Sequence, residues 1–206
     1  FWWQVNKTPS ALVNAARLRI QMHSRSIEND SDQDSELIRM LVKRGEYFWA
    51  EKIYKLLKEA RYKATIIPNG DFSNIPKFPP FDWDLNSTGE YGAIIREGML
   101  QISVTTNSGG RVARQLLRIP ESSFILKVSA DGSIPSDAKL IAKISCAERT
   151  KSTAAAVIEM TEIETVQRID NSYSGCSYFW LDIIARAPET GSGFDVALDS
   201  ISMAPG

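Results

Sequence analysis

Apolar residues recur at helical spacing through the first 62 residues of this chain. The pattern predicts three helices: one that begins at Thr8-Pro9-Ser10, one that begins near Leu37 and ends before Gly45, and one that covers residues 47 to about 60. Residues 24–35 are polar and acidic, and we predict a loop there. A single helix pair cannot bury its apolar face alone, so it should pack on neighbouring helices or on the rest of the chain.

From about residue 85 onward, apolar residues alternate with polar ones, as in strands that bury one face. The clearest alternating runs are 100–104, 124–130, 140–146, 179–185 and 194–198. Turn residues separate them at 107–110, 120–122, 131–132 and 191–193. Eight or nine short strands with no helix between them predict an antiparallel two-sheet sandwich, and the connection lengths favour a jelly roll. The predicted fold class is therefore mainly β, preceded by a small helical region.

Residues 66–85 join the two patterns and hold four prolines and four aromatic residues. Proline removes a backbone donor and fixes φ, so neither a helix nor a central strand should run through this stretch. We expect Phe81 and Trp83 to be buried at the entry to the sandwich. The chain is thus predicted to have an α-helical region at 1–62 and a β-sandwich at 66–206.

Charge and composition exclude several functional classes. Basic and acidic residues interleave, with a net charge of −1, so the chain lacks the basic surface that favours nucleic acid or an anionic membrane. No stretch reaches the roughly 20 apolar residues of a membrane-spanning helix. The chain begins Phe1-Trp2-Trp3 without a signal peptide, and we expect it to be a cut or processed piece of a longer protein, with a signal or anchor lost upstream.

The sequence predicts a protein that is not an enzyme. His23 is the only histidine, and we expect it to be a surface residue rather than a base. Glu159, Glu162 and Glu164 form the one dense acidic cluster, but they lack the order typical of sandwich glycosidases, and we interpret them as a solvated strand edge. No nucleophile elbow or phosphate-binding loop is present in the sequence.

The two cysteines, Cys146 and Cys176, both lie in the strand pattern. Two interpretations are open: buried free thiols in a cytosolic protein, or a disulfide, which would imply an oxidising compartment. Two cysteines 30 residues apart do not match the spacing of a zinc site. We favour the disulfide, which would stabilise the fold by on the order of 3.5 kcal/mol through the loop that it closes.

The best candidate for a binding residue is Trp180, because it alternates with the apolar Phe179 and Leu181 and so points to the opposite face of its strand. The predicted ligand-binding face consists of Trp180, Tyr178, Tyr173, Arg186 and Asp182. Aromatic rings beside polar groups hold sugars by stacking and hydrogen bonding. In the alternative interpretation the N-terminal helices cover this face, because Ile184 shares it with Trp180.

Short motifs in the second half resemble those of family 4/9 carbohydrate-binding modules. The chain has Asn69-Gly70-Asp71-Phe72 near the start of the sandwich and DVALDSI at 195–201 in its last predicted strand. With Pro80-Phe81-Asp82-Trp83 and the preceding TPR-like helical hairpin, nearly the whole chain resembles the C-terminal region of proteobacterial tetratricopeptide-repeat (TPR) proteins often associated with exopolysaccharide genes. In that group, cysteines occupy the places of Cys146 and Cys176.

The resemblance implies a non-catalytic jelly-roll module that binds a polysaccharide or oligosaccharide. It also implies an exported protein, periplasmic or associated with the cell envelope, with a role in exopolysaccharide production. The alternative function is a protein–protein scaffold that binds no sugar and holds a partner through its helical region. Neither function calls for contact with nucleic acid or with a membrane.

A structural calcium ion is the one cofactor that the resemblance implies, since family 4/9 modules commonly hold one near their first and last strands. Its oxygen ligands here would be Asp71, Asp195 and Asp199. The acidic residue that usually follows the motif's Phe is replaced by Ser73, and calcium takes six to eight oxygens. The simpler alternative is that Asp71 is a turn residue bonded to its own backbone.

Overall fold

The computed structural model describes residues 9–25, 27, 30–58, 65–119, 123–132, 134–148, 154–170 and 175–206. These residues form two compact units. The helical unit lies within residues 1–64 and 77–82, and the strand unit comprises residues 65–76 and 83–206. The chain therefore enters the strand unit, returns to the helical unit for six residues, and enters the strand unit again.

In the described part of the helical unit, three helices make up most of the residues: α1 (Pro9–Ser24), α2 (Ser31–Lys43) and α3 (Tyr47–Lys58). Helix α2 begins inside the stretch that the sequence predicts to be a loop, so the second half of that prediction is wrong. The reason is local, because the Asp30 carboxylate accepts a hydrogen bond from the Asp32 backbone N–H at 3.0 Å and caps the helix. Gly45, at φ = 78°, follows α2 as predicted.

The helical unit has a core of its own. Its fully buried side chains include Leu12, Leu37, Ile38, Leu41 and Ile53. Arg19 of α1 and Asp34 of α2 form a buried ion pair through two hydrogen bonds of 2.6 and 2.8 Å. None of the helices described is long and apolar enough to cross a membrane.

Residues 77–82 pack on α3 and belong to the helical unit. The Phe81 ring stacks on the Tyr54 ring, with centroids 5.2 Å apart. The buried Asp82 carboxylate lies 3.1 Å from the Lys58 ammonium. The predicted domain at 66–206 includes these residues and places Phe81 at the entry to the sandwich. The structure instead assigns them, with Phe81, to the helices.

Ten strands make up most of the residues that the structure describes in the strand unit. They are β1 (Asp84–Leu85), β2 (Tyr91–Arg96), β3 (Met99–Val104), β4 (Gly109–Arg118), β5 (Phe124–Asp131), β6 (Lys139–Cys146), β7 (Ala154–Glu159), β8 (Glu164–Ile169), β9 (Tyr178–Arg186) and β10 (Phe194–Pro205). All five alternating runs in the sequence fall within strands, so those predictions are confirmed. Gly109 and Gly110 are predicted to form a turn but begin β4 instead.

The strands form two five-stranded antiparallel sheets. Sheet I has the order β1-β4-β9-β6-β7, and sheet II has the order β2-β3-β10-β5-β8. Side chains that alternate along the strands fill one core between the sheets, with Leu100, Phe124, Leu140, Phe179 and Leu198 among its buried members. The predicted fold class, a mainly β antiparallel two-sheet sandwich with a small helical region, is confirmed.

A disulfide joins Cys146, the last residue of β6, to Cys176, two residues before β9. The sulfur atoms are 2.09 Å apart and the Cα atoms 6.0 Å apart. Both residues lie in the sandwich core, as the register of Cys146 in the alternating pattern predicts. The interpretation as free thiols is therefore wrong.

The turn at residues 69–72, which we call the NGDF turn, lies against the last strand. The Ile201 backbone N–H donates to the Gly70 carbonyl at 2.7 Å. The Trp83 indole N–H donates to the Asn69 carbonyl at 3.1 Å, and its ring packs on Phe72 with centroids 5.7 Å apart. Trp83 is buried in the sandwich core, as predicted.

Candidate functional site

The predicted ligand-binding face is the outer face of sheet I. Asp182 and Arg186 alternate along β9 with residues of the sandwich core, and Trp180 lies in the same register, half-buried. Tyr178, at the start of β9, is buried. Tyr173 lies outside the described residues. Four of the five predicted residues therefore fall on one strand, and the ring of Tyr178 is not exposed for stacking.

The side chain of an arginine already covers part of the Trp180 ring. The Arg114 guanidinium of β4 lies 4.5 Å from the ring centroid, in cation–π geometry. Arg114 is held there by Asp182, which accepts hydrogen bonds from its Nε and from one of its terminal nitrogens, the latter at 3.1 Å. Arg111 lies 4.0 Å from the same carboxylate. Trp180, Arg114 and Asp182 thus form an internal network, which leaves less of the ring for a ligand.

The three predicted calcium ligands are not brought together. Asp71 accepts hydrogen bonds from the backbone N–H and the hydroxyl of Ser73, as a turn residue does. Asp195 and Asp199 are four residues apart on β10, which separates their Cα atoms by about 13 Å. The described chain has no group of three potential ligand side chains that includes them within 4.8 Å. Bound calcium stays a prediction that would need backbone oxygens as further ligands.

One group of potential metal ligands does occur in the described residues: Cys146, Glu148 and Cys176, with ligand atoms within 4.8 Å of one another. Both sulfur atoms are consumed by the disulfide, and a metal binds the thiolate rather than the disulfide. Glu148 accepts a hydrogen bond from the Ser177 backbone N–H at 2.6 Å. The arrangement is therefore structural as it stands.

A groove of about 610 Å³ lies over β2, β3 and the start of β10 on the outer face of sheet II. Its lining consists of Ser87, Gly89, Glu90, Tyr91, Gly92, Ala93, Ile94, Gln101, Ser103, Val104, Thr105, Thr106, Gly193, Phe194 and Asp195. We call this cavity the sheet II groove. Asp195 is the only member of the predicted site residues that lines it, and it was predicted in a different role.

Strand register explains the shape of the sheet II groove. Gly92 of β2, Ser103 of β3 and Asp195 of β10 are directly opposite one another. The next row along the strands consists of Ile94, Gln101 and Ala197. Gly92 and Ser103, which have small side chains or none, are thus side by side, and the longer Ile94 and Gln101 are side by side in the next row. The row of small residues leaves a depression in the sheet surface.

Loops raise the walls of the groove at one end. The Thr105 backbone N–H and the Ser108 hydroxyl both donate to the Glu90 carbonyl, at 2.8 and 3.1 Å, so the loops before β2 and after β3 are tied together. On the other side, the Thr106 hydroxyl donates to the Gly191 carbonyl at 3.1 Å. A methyl group at Gly193 would lie 2.3 Å from the Val104 carbonyl oxygen, so only glycine allows this close approach.

Chemically, the lining of the groove combines polar and apolar surface, and the apolar part is slightly the larger. Hydroxyl and amide groups from Ser103 and Gln101 can both donate and accept hydrogen bonds. Ile94, 52% exposed, supplies an apolar surface beside them. Glu90 and Asp195 add exposed carboxylates, which in the ionised form accept hydrogen bonds and donate none. Such a surface suits a ligand that carries many hydroxyl groups and small apolar faces.

The sequence pattern predicts strands at 100–104 and 194–198 but does not predict this groove, because the predicted ligand-binding face is built around Trp180 on another strand. A signal was present, since the polar positions of those two strands are small or uncharged rather than the lysines and glutamates of an ordinary solvated face. The pairing of β2, β3 and β10, which brings these positions together, could not be read from their order in the chain.

Comparisons with known proteins give no family assignment. No protein-family model and no curated protein matches the chain. Among solved structures, a CBM4 carbohydrate-binding module is 14% identical, with 68% of this chain and 99% of that one covered, at a TM-score of 0.46. TmCBM61 in complex with β-1,4-galactotriose is 9% identical, over 70% of this chain and 100% of that one, at 0.44. The N-terminal cellulose-binding domain of Cellulomonas fimi β-1,4-glucanase C is 15% identical, over 69% and 98%, at 0.45.

These similarities are weak. Identities of 9–15% and TM-scores below 0.5 carry no argument about what this chain binds. Glycoside hydrolases also occur among the similar structures, so the comparisons do not separate a binding module from an enzyme domain. The functional argument therefore rests on the groove itself.

Proposed function

We propose that the strand unit is a glycan-binding module and that the sheet II groove is its binding site. The observation that carries the proposal is the groove's combination of volume and lining. Its volume of about 610 Å³ falls in the range of roughly 300–1,000 Å³ that is usual for small-ligand sites. Its floor presents hydroxyl, amide and carboxylate groups in two rows that strand register keeps in place.

The groove is a better glycan site than the Trp180 face. A sugar ring that stacked on Trp180 would have to displace Arg114, which Asp182 holds through two hydrogen bonds. In the groove, hydroxyl groups of a sugar could bond to Gln101 and Ser103 while a ring face contacts Ile94. No existing side-chain hydrogen bond that the structure gives for these three residues would be broken.

The same proposal includes an exported location and a role in exopolysaccharide production. A disulfide closed inside the core supports the location, because such bonds persist in oxidising compartments such as the periplasm. The exopolysaccharide role rests on the TPR-protein resemblance alone. In this scheme the helical unit would link the glycan-binding strand unit to the rest of a longer TPR-type protein.

We further propose that binding is not followed by hydrolysis. Glycosidases place two carboxylates on either side of the scissile bond, about 5–10 Å apart. Glu159 and Glu164 lie on the edge strands β7 and β8 of different sheets, and Glu164 pairs with Lys127 at 2.6 Å. The two acidic residues among the described lining residues of the groove, Glu90 and Asp195, are both exposed, whereas the general acid of a glycosidase lies in an apolar pocket. Incubation of each bound oligosaccharide with the protein, followed by chromatography, should return the intact sugar.

A scaffold function is the second candidate, and exposed apolar residues at the β7–β8 edge favour it. Val157 and Ile163 are each 60% exposed, and Val166 is 55% exposed. Strands β7 and β8 are edge strands of sheet I and sheet II, and edge strands with exposed apolar side chains are common sites of protein association.

The first experiment is a glycan-array screen with the wild type, Gln101→Ala and Trp180→Ala, each checked for unchanged circular dichroism. We expect the wild type to bind, Gln101→Ala to bind roughly three- to tenfold more weakly through loss of side-chain hydrogen bonds, and Trp180→Ala to bind normally. Binding lost only in Trp180→Ala would move the site to sheet I. A folded wild type that binds neither neutral nor acidic glycans would reject the glycan proposal in favour of the scaffold.

A further inference from the structure

The sheet II groove carries charge of one sign. Glu90 and Asp195 line it, and both are exposed. No lysine, arginine or histidine is among the described residues that line it. Neither carboxylate has an ion-pair partner among the described residues. Any ligand in the groove would therefore meet two negative charges that the protein does not neutralise.

The negative charge extends along the second row of the groove floor. Ala197, next to Gln101 in that row, is opposite Asp131 of β5, whose side chain is exposed. Two cations on the strands of sheet II have partners of their own: Arg96 lies 3.3 Å from Glu97, and Lys127 lies 2.6 Å from Glu164.

The outer face of sheet I carries mainly positive charge. Arg186 of β9 and Lys139 of β6 are directly opposite each other, and both are exposed. Lys143 is opposite Asp182, four residues further along each strand, and Arg111 and Arg114 both pair with Asp182. Positive and negative charges therefore lie on different surfaces although the net charge is only −1: cations lie on the outer face of sheet I, and carboxylates lie in the groove of sheet II.

Charge of one sign in a concave site selects ligands by charge. A uronic acid or a sulfated sugar would be repelled, and a neutral sugar would donate hydrogen bonds to the carboxylates without neutralising their charge. A protonated amine would form charge-assisted hydrogen bonds to carboxylates, which are about twice as strong as neutral ones. We propose that the sheet II groove prefers glycans with free amino groups, that is, deacetylated amino sugars. This inference rests on the proposed glycan-binding function and specifies its ligand class.

The test compares sugars that differ in one substituent. Cellotetraose, chitotetraose and chitosan tetraose share a β-1,4-linked glucose backbone and carry a hydroxyl, an N-acetyl group or a free amine at carbon 2. A β-1,6-linked pair with N-acetyl groups or free amines is added, so that a linkage preference cannot hide the effect of the amine. Affinities are measured by calorimetry with the full chain in mildly acidic buffer. We expect the free amine to bind roughly five- to tenfold more tightly than its N-acetyl counterpart.

Two carboxylate-to-amide variants make the test specific. Asp195→Asn removes a charge from the groove lining, and Asp199→Asn removes the same charge from the same strand, four residues further on and outside the lining. Asp195→Asn should remove most of the preference for the amine, whereas Asp199→Asn should leave it within about twofold of the wild type. Raising the salt concentration from about 50 mM to about 500 mM should weaken amine binding and leave neutral binding unchanged.

The possible outcomes distinguish a failure of the proposed amine preference from a failure of the proposed glycan binding. Binding of neutral or N-acetylated glycans as tight as binding of the amine would overturn the charge preference and leave glycan binding intact. Binding of an acidic glycan in preference to both would overturn it as well and would point to the cationic face of sheet I. A folded protein that binds none of the sugars, here or on the array, would overturn both proposals.

Discussion

At the scale of single residues, Asp82 holds the returning segment 77–82 on the helical unit. Its carboxylate accepts hydrogen bonds from the Lys77 and Phe78 backbone N–H groups at 2.9 and 3.0 Å and from the Tyr54 hydroxyl at 2.9 Å. The Lys58 ammonium, 3.1 Å away, balances its charge. Four donors therefore converge on one buried carboxylate, and removal of that group would take this shared acceptor from all four.

Asp82→Ala should destabilise the helical unit by about 3–5 kcal/mol, the usual effect of removing one partner of a buried charged pair. The measurement is thermal unfolding followed in the helical band of the circular dichroism spectrum. Asp84→Ala, two residues along and only half-buried, is the matched control and should cost less than about 1 kcal/mol. Equal melting temperatures for the two variants would show that the four contacts of Asp82 contribute nothing net.

The residues around Asp82 also show what can be inferred from sequence at this scale. Proline and aromatic content predicts that Phe81 and Trp83 are buried, and both are. The sequence does not reveal that they enter different cores, with Phe81 on Tyr54 and Trp83 on Phe72. Two aromatic residues separated by one position carry the same burial signal, and only the path of the backbone between them decides which core each joins.

At the scale of elements, the NGDF turn depends on a residue without a side chain. A methyl group on Gly70 would lie 2.0 Å from the Ile201 carbonyl oxygen of β10, and that contact is with backbone that cannot rotate away. The Gly70 carbonyl also accepts the Ile201 N–H at 2.7 Å. No positive φ is involved at Gly70, so the requirement for glycine is purely steric.

Gly70→Ala should therefore push the turn away from β10 and destabilise the strand unit, at the upper end of the roughly 1–3 kcal/mol typical of overpacking. Gly98→Ala is the control, because Gly98 has φ = 74° and open space around it. It should cost only the backbone strain of about 1–2 kcal/mol. Urea unfolding of both variants measures the difference. If Gly98→Ala were the more destabilising change, the close approach of the turn to β10 would not be what requires glycine.

Some strands and helices are predicted well from the sequence and others poorly, and a physical reason explains each case. Strands with strict alternation, such as β5 and β6, are predicted because each buries one face. Strand β4 is harder, since its register shifts between Arg111 and Ala113, where an extra residue places two neighbouring side chains on the same face. Helix α2 begins in an acidic stretch because capping and a favourable helix dipole outweigh its polar composition.

At the scale of the whole molecule, the fold class could be predicted but the candidate site could not. A change in period from helical to alternating is a local property, and it identifies the two kinds of structure. The groove floor joins Gly92, Ser103 and Asp195, and six other strands lie between β3 and its partner β10 in the chain. That pairing depends on the packing of both sheets, which no local pattern encodes.

The division into two units leads to a final prediction about the molecule as a whole. A fragment of residues 65–206 contains all ten strands and the groove but lacks α1, α2 and α3. Phe81, which packs on Tyr54, and Phe78, whose ring lies 6.0 Å from the Lys58 ammonium, are buried in the full chain and would lose these α3 partners and become exposed. Exposed aromatic side chains of this size promote association. We expect the fragment to fold into β-structure and to aggregate at micromolar concentration.

Phe78→Ser combined with Phe81→Ser should correct the defect in that fragment without touching the strand unit, because both residues belong to the returning segment 77–82. The substituted fragment should be monomeric by light scattering and should bind glycans with the affinity of the full chain. Asp82→Asn serves as a control that alters the same segment but leaves its aromatic side chains in place, so it should not prevent aggregation. A substituted fragment without β-type circular dichroism would mean that the strand unit needs the helices to fold.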